Sequence, residues 1–235
     1  MLLEVKELNS GYGFLQVLWD VSLGVEAKEY VCLVGPNGAG KSTTLKTISG
    51  LIRPKSGEIL FKEEPIGGLS GNKVCRKGIS YISEELNLFT RMTVEENLAM
   101  GAYLVSDDDR QQKALGFVYE LFPRLRERKN QLAGTMSGGE RKMLAIARGM
   151  MSSPELLLVD EPSLGLAPQL IRGVFKALDV LKERGMTILL VEQNVTKTLQ
   201  VTDRAYVIEK GEITLEGRSS DLARHEHVRK AFLGV

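Results

Sequence analysis

The sequence predicts an α/β fold with a mostly parallel sheet, on three observations. Apolar runs of strand length alternate with segments of helical period along the chain. One such run, Val31 to Val34, feeds the glycine-rich stretch Gly35-Pro36-Asn37-Gly38-Ala39-Gly40-Lys41-Ser42 and then a helix start. Another, Leu156 to Val159, ends in Asp160-Glu161, carboxylates at the C-terminal end of a strand, where α/β sheets keep their ligands.

In order, Leu2 to Leu8 partly alternates and reads as a half-exposed strand, and Asn9 to Gly13 as a turn carrying one aromatic. Val17 to Val25 and Glu29 to Val34 read as further strands. A helix follows Ser42 to about Ile48, closed by Gly50 and Pro54. Ser56 to Phe61 is a turn and strand, Gly67 to Gly78 is polar and loop-like or weakly helical, and Ile79 to Ile82 is a short strand. Helical texture then takes over. Thr93 and Glu96 have capping-box spacing, Asp107 to Asp109 precede a helix to Phe122 that Pro123 ends, and Arg124 to Lys129 is a solvated helix face or loop. After Glu155 to Val159 comes a helix opened by Pro168 and running to Arg184, with Gly185 beyond it. Its apolar stripe is Leu170, Ile171, Val174, Phe175, Leu178 and Leu181. Thr187 to Val191 is a buried strand, Ala205 to Glu209 and Glu212 to Leu215 flank Lys210-Gly211 as a hairpin, and Ser219 to Phe232 is a terminal helix.

Composition sets limits on function. The chain has 235 residues, 43% hydrophobic and 26% charged, within the range of ordinary globular proteins. A formal net charge of +1 and the lack of a basic stripe argue against a nucleic-acid partner. No apolar run approaches the roughly 18 residues that span a bilayer. The start Met1-Leu2-Leu3-Glu4-Val5-Lys6 has no signal-peptide architecture, so a cytoplasmic location is expected. Two cysteines, Cys32 and Cys75, make no disulfide framework, and Cys32 reads as a small buried apolar residue.

Gly35 to Ser42 fits G-x-x-x-x-G-K-[ST], the phosphate-binding loop. Glycines at 35, 38 and 40 let the backbone curl so that successive N–H groups converge, and the positive end of the following helix adds to that anion site. Lys41 can reach phosphate as a point charge, and the Ser42 hydroxyl can ligate Mg²⁺. Asp160 is placed to hold Mg²⁺ through water, and Glu161 to orient or deprotonate an attacking water. Met136-Ser137-Gly138-Gly139-Glu140 is a different case. Ser137 and Glu140 make a capping box, and Met143, Leu144, Ala147 and Met150 a helix face. Capping leaves Gly138 and Gly139 unexplained; a serine with bare N–H groups at a helix start makes a second anion site. One chain on one nucleotide needs no second site, whereas two chains head to tail do.

On these residues the sequence resembles the ATP-binding cassette family over essentially its whole length. Gly35 to Thr43 is similar to the family's first nucleotide motif, Asp160-Glu161-Pro162 to its second, and Ser137 to Glu140 to its signature, with Glu140 where glutamine is usual. Ser137 precedes Asp160 by 23 positions, an interval similar to the family's. The resemblance implies a P-loop cassette in one domain, 1–235: core and antiparallel β subdomain in 1–83 and 155–235, helical signature subdomain in 84–154. It implies ATP and Mg²⁺ as ligands, Tyr12 stacked on adenine, Glu84 as the metal-contacting residue and Gln193 at the catalytic switch position. Usual residues are replaced at three places: Glu84 stands for glutamine, Ala167 for aspartate and Gln193 for histidine, and the only histidines, His225 and His227, lie in the terminal helix.

The chain further resembles the ATPase subunits of branched-chain amino-acid importers, the second of the two ATPases most of all. The carrying residues are Arg91 to Gly101, Asp160 to Pro168 and Leu190 to Asn194. This implies a second ATPase subunit as partner, identical or different, in an ATP sandwich; membrane permease subunits; indirectly a solute-binding protein; and a peripheral place on the cytoplasmic face of the cell membrane. Other cargo (urea, amides or a lipid), a non-transport cassette protein and a regulatory module without turnover are the rival readings.

Overall fold

The structure is a computed structural model that describes residues 1–233. In chain order it runs β1 (Leu3–Tyr12), β2 (Leu15–Val25), β3 (Tyr30–Val34), α1 (Lys41–Ile48), β4 (Ser56–Phe61), β5 (Glu64–Pro65), α2 (Gly71–Arg76) and β6 (Ile79–Ile82). A helical stretch follows: α3 (Val94–Gly101), α4 (Asp108–Leu121), α5 (Pro123–Glu127) and α6 (Gly138–Met150). Then come β7 (Leu156–Asp160), α7 (Pro168–Glu183), β8 (Thr187–Glu192), α8 (Val195–Val201), β9 (Arg204–Glu209), β10 (Glu212–Arg218), α9 (Ser219–Leu222) and α10 (Glu226–Val228).

The apolar runs become the centre of a six-stranded sheet in the order β10-β9-β3-β8-β7-β6, all neighbours parallel except the edge pair β9–β10. These strands are apolar at successive positions because both faces of the sheet are covered. Cys32, Val34, Leu157, Val159, Ile188 and Leu190 enter one core with the helical stretch, including Val94, Leu98, Val118 and Leu144. Their alternates Val31, Leu33, Leu156, Leu158, Leu189 and Val191 enter a second core with Leu45 and Ile48 of α1 and the inner faces of β1, β2 and β4. The second sheet, β2-β1-β4-β5, is antiparallel throughout. The fold is thus the α/β arrangement expected, and the hairpin β9–β10 turns at Lys210 and Gly211, both at positive φ. Both capping boxes form, at Thr93/Glu96 and at Ser137/Glu140.

Several local readings are corrected. Asn9 to Tyr12 is strand, and the turn reduces to Gly13-Phe14. β1 runs on because register shifts, three against β2 and one against β4, absorb its irregular pairing, helped by Glu7 at φ 45°. Gly11 is required there, since a Cβ would lie 2.1 Å from the Leu15 carbonyl oxygen. Pro123 ends α4 and also opens α5, taking the N1 position where its missing N–H is harmless. The terminal helix is broken at Ala223–His225, so that Leu222 and Val228, six positions apart, both reach the core. α8, which the periodicity did not announce, is capped by the Asn194 side chain. In α6 burial goes nearly all round, taking in Lys142 and Ile146, because α3 covers one side and the sheet the other. Leu170 and Ile171 precede the buried part of the α7 stripe.

The close approach of α3 to α6 has a measurable consequence. A Cβ on Gly101 would sit 2.2 Å from the Arg148 carbonyl oxygen, whereas one on Gly116, on the exposed side of α4, meets nothing within 4 Å. Gly101→Ala is expected to lower the unfolding free energy in urea by about 1–3 kcal/mol. Gly116→Ala should raise it by roughly 0.5–1 kcal/mol through helix propensity alone. Equal effects at the two positions would contradict this packing.

Candidate active site

Because β6, β7, β8 and β3 are parallel, their C-terminal ends share one edge of the sheet. Ile82 lies opposite Val159, Asp160 opposite Val191, and Glu192 opposite Val34. The chain leaves that edge at Gly35, Ser83, Glu161 and Gln193, which gathers most of the sequence-derived residues at one place.

The loop Gly35 to Gly40 curls between β3 and α1 with Gly38 at φ 78° and Gly40 at φ 107°, a region that penalises side chains. Lys41 is buried; its Nζ donates to the carbonyls of Gly35 (3.0 Å) and Pro36 (3.1 Å) and pairs with Glu161 Oε1 at 3.3 Å. Ser42 Oγ donates to Asp160 Oδ1 at 2.8 Å, and Tyr81 OH to Asp160 Oδ2 at 2.8 Å. Asp160 is 1% exposed, and burial holds its carboxyl above the usual range despite both hydrogen bonds. Glu161 has φ 42°, a strained conformation for a residue with a side chain, and its N–H is tied to the Val191 carbonyl at 2.9 Å.

A cleft of about 450 Å³ opens over these groups. Tyr12, Leu15, Val17 and Leu164 give its lining apolar surface; Asn37, Gly38, Gly40, Lys41, Ser42, Thr43, Glu84, Glu161 and Gln193 make up the rest. Tyr12 is half exposed, and Glu84 and Gln193 are exposed. Pro36 is exposed and Gly35 and Ala39 are buried beneath the loop. A lining that combines an aromatic ring with a lysine on a glycine-rich loop suits a nucleotide. A hydroxyl and a carboxylate in mutual contact, Ser42 and Asp160, are hard oxygen donors that one Mg²⁺ could share.

Ser137, Gly139 and Glu140 are elsewhere. They line a separate cleft of about 560 Å³ with Phe122, Arg128 and Leu170, and Gly138 opens α6 beside them. Glu140 Oε2 accepts from Ser137 N (3.0 Å) and Ser137 Oγ (2.7 Å), and Arg128 Nε lies 3.3 Å from Oε1. The Ser137 hydroxyl and N–H, with Arg128 adding to them, hold the Glu140 carboxyl below its usual range.

Three site residues were not singled out from the sequence. Tyr81 faces Asp160 because it pairs with Leu158, two positions earlier on the same sheet face; the signal is parity, readable only once the register is known. Glu192 is 1% exposed and binds Ser163 N (2.8 Å) and Gln193 N (3.2 Å), so it ties together the loops after β7 and β8; burial raises its carboxyl pKa. An acid directly after the apolar run Thr187 to Val191 was its signal. Lys142 is buried, its Nζ donating to the carbonyls of Glu161 (3.2 Å) and Glu84 (3.3 Å).

The family described as "ABC transporter" matches residues 18–164. The chain is 47% identical over 233 residues to the high-affinity branched-chain amino acid transport ATP-binding protein BraG of Pseudomonas aeruginosa, covering 99% of this chain and 100% of that one. It is 37% identical to the probable branched-chain amino acid transport ATP-binding protein LivF of Archaeoglobus fulgidus (100% and 99% covered). It is 34% identical to the lipopolysaccharide export system ATP-binding protein LptB of Haemophilus influenzae (99% and 97%). Among solved structures, the ADP conformation of an ATP-binding cassette of an ABC transporter superposes with a TM-score of 0.86 at 26% identity, covering 100% of this chain and 99% of that one.

The Ser137–Glu140 box gives a pH-dependent expectation. A carboxyl held below its unfolded value makes unfolding take up a proton, so its stabilisation is present above the ordinary carboxylate range and is lost as pH falls through the folded value. The melting-temperature deficit of Glu140→Ala should therefore be largest near neutral pH and should shrink as pH drops below that range. A deficit that is independent of pH would contradict the charged capping bond.

Proposed function

Because the chain belongs to the ABC transporter family and is an ATP-binding, ATP-hydrolysing cassette, we propose that it powers a membrane importer for branched-chain amino acids. The full-length 47% identity to BraG supports the cargo, with LivF in agreement. The observation that carries the chemistry is the contact of Lys41 with Glu161 and of Ser42 with Asp160 at the floor of one cleft.

On this reading, Gly35 to Thr43 hold the phosphates of ATP, and Tyr12 stacks on the base. Lys41 exchanges Glu161 for phosphate, which frees the Glu161 carboxylate to accept a proton from water. Ser42 and Asp160 would hold Mg²⁺, with Glu84 as a further oxygen ligand, and the ion would neutralise phosphate charge. Gln193 donates to the terminal phosphate through its amide. An amide does not titrate, so the proton falls to Glu161 alone. Ser137 to Glu140, remote from this cleft, face the nucleotide of a second ATPase subunit, identical or different. The nucleotide then joins the two chains, and its hydrolysis releases them.

The remaining partners are membrane permease subunits, engaged through the segment after Glu84 and the helical region 84–154, and indirectly a solute-binding protein. No helix among the described residues is long and apolar enough to cross a membrane, in keeping with a peripheral place on the cytoplasmic face. The LptB similarity favours lipid as a second cargo reading.

Proteoliposomes holding this chain with its partner ATPase and membrane subunits, and supplied outside with the solute-binding protein, separate the two readings. MgATP inside should drive uptake of leucine, isoleucine or valine, and Glu161→Gln should lower uptake and hydrolysis together by about 10²-fold or more. Turnover that lipid stimulates, with no uptake of these amino acids, would favour the lipid reading instead.

A further inference from the structure

Lys142 is the one buried cation of the site that no nucleotide motif accounts for. It projects from α6, five residues after Ser137, and is 7% exposed. Burial pushes its ammonium pKa down, and Glu84, Glu192, Glu161 and Asp160 surround it. Yet its hydrogen bonds go to two main-chain carbonyls, those of Glu161 and Glu84. Desolvating an ammonium to satisfy two carbonyls is a poor way to stabilise a fold, since apolar groups of similar volume do as well or better.

The two carbonyls chosen are informative. The Glu161 peptide sits in the strained left-handed region, with its N–H tied to Val191 of β8 and its carbonyl accepting from both Lys142 Nζ (3.2 Å) and Leu164 N (3.2 Å). It is clamped from both sides, and the clamp sets where the carboxylate points. The Glu84 carbonyl belongs to the segment that leaves β6 along the same sheet edge. One side chain of α6 therefore grips the backbone of two residues that line the nucleotide cleft. The same helix begins with Ser137 to Glu140, about 7.5 Å back along its axis at 1.5 Å per residue.

We propose that Lys142 is a positioning residue: it orients Glu161 and Glu84 in the chain's own cleft and, through rigid α6, links that cleft to the partner-facing turn Ser137 to Glu140. This rests on the reading of Glu161 as the group that activates water. If α6 tilts as its first turn engages or loses a partner's nucleotide, Nζ moves relative to the Glu161 carbonyl. The grip tightens when both composite sites are filled and loosens when one empties. Lys142 itself touches neither substrate nor the reacting atoms.

The test is steady-state hydrolysis of MgATP by the full chain with its partner subunits, comparing wild type, Lys142→Met, Lys142→Leu, Lys142→Gln and Glu161→Gln, each checked for folding by its melting curve. Methionine and leucine fill much of the lysine's space but cannot donate; glutamine keeps two N–H donors without the charge. Lys142→Met and Lys142→Leu should lose about 10²-fold in kcat with KM for MgATP within about twofold, the pattern of a misplaced catalytic group rather than a lost binding contact. Lys142→Gln should recover most of the turnover. Wild-type kcat in a folded Met or Leu variant overturns the proposal while leaving the ATPase reading intact. So does a Gln variant as inactive as Met, or a change confined to KM. Wild-type turnover in Glu161→Gln would remove the premise and the proposal together.

Discussion

Lys41 and Glu161 meet at 3.3 Å in a place where both are buried, and Ser42 meets Asp160 at 2.8 Å beside them. A lone buried ammonium or carboxylate is costly, and removing one partner of such a pair typically costs about 3–5 kcal/mol. The loop after β3 and the end of β7 must therefore stay in register, although 118 residues separate Ser42 from Asp160. The parallel sheet supplies that register. β8 lies between β3 and β7 and pairs with both, so their C-terminal ends are held on one edge. The two covered faces of the sheet hold β8 there by burying alternate residues in separate cores.

The contacts that stabilise the site also define what it can accept. Asp160, Glu161, Glu192 and the nearby Glu84 place four carboxyls around the loop, against the cations Lys41, Lys46 and Lys142. Burial raises the carboxyl pKa values of Asp160 and Glu192, the sign of carboxylates short of compensation. On the proposed reading, that excess of negative charge suits a polyanion that brings its own cation, as MgATP does. On the same reading, phosphate draws Lys41 away from Glu161, and the carboxylate that was paired is left free to act as a base. Gln193, where the resemblance leads one to expect a histidine, is an amide and does not titrate, so the titratable group at the end of β8 is the buried carboxyl of Glu192.

Features set by short-range rules could be read directly from the sequence. The loop Gly35 to Ser42 carried its own strand and helix context, the two capping boxes formed as spaced, and Lys210-Gly211 made the hairpin turn. What escaped depends on neighbours far away in the chain. β1 continues through Asn9 to Tyr12 because β2 and β4 flank it, which outweighs the turn propensity of Asn-Ser-Gly. The burial of Lys142 could not be seen because α6 is enclosed by α3 and the sheet, so burial extends beyond its apolar face of Leu144, Ala147 and Met150. Tyr81 and Glu192 depended on which residue each would face across strands whose pairing no local pattern specifies. Of the site, the residues on one loop or strand end were legible; those that orient them from other elements were not. Ser137 to Glu140 was legible as a capping box, and it lines a cleft separate from that of the phosphate loop, as the proposed composite arrangement requires.

That composite arrangement is the central claim, and the mass of the assembly tests it most directly. Glu161→Gln, with MgATP and its partner ATPase, measured by size-exclusion with light scattering, should run as a two-subunit particle and as single chains without nucleotide. Adding Ser137→Trp should abolish the particle and leave ATP binding by the single chain nearly intact. Loss of both properties together would place Ser137 in its own chain's site or core, and a particle that survives the tryptophan would place the interface elsewhere; either result contradicts a nucleotide shared between two chains.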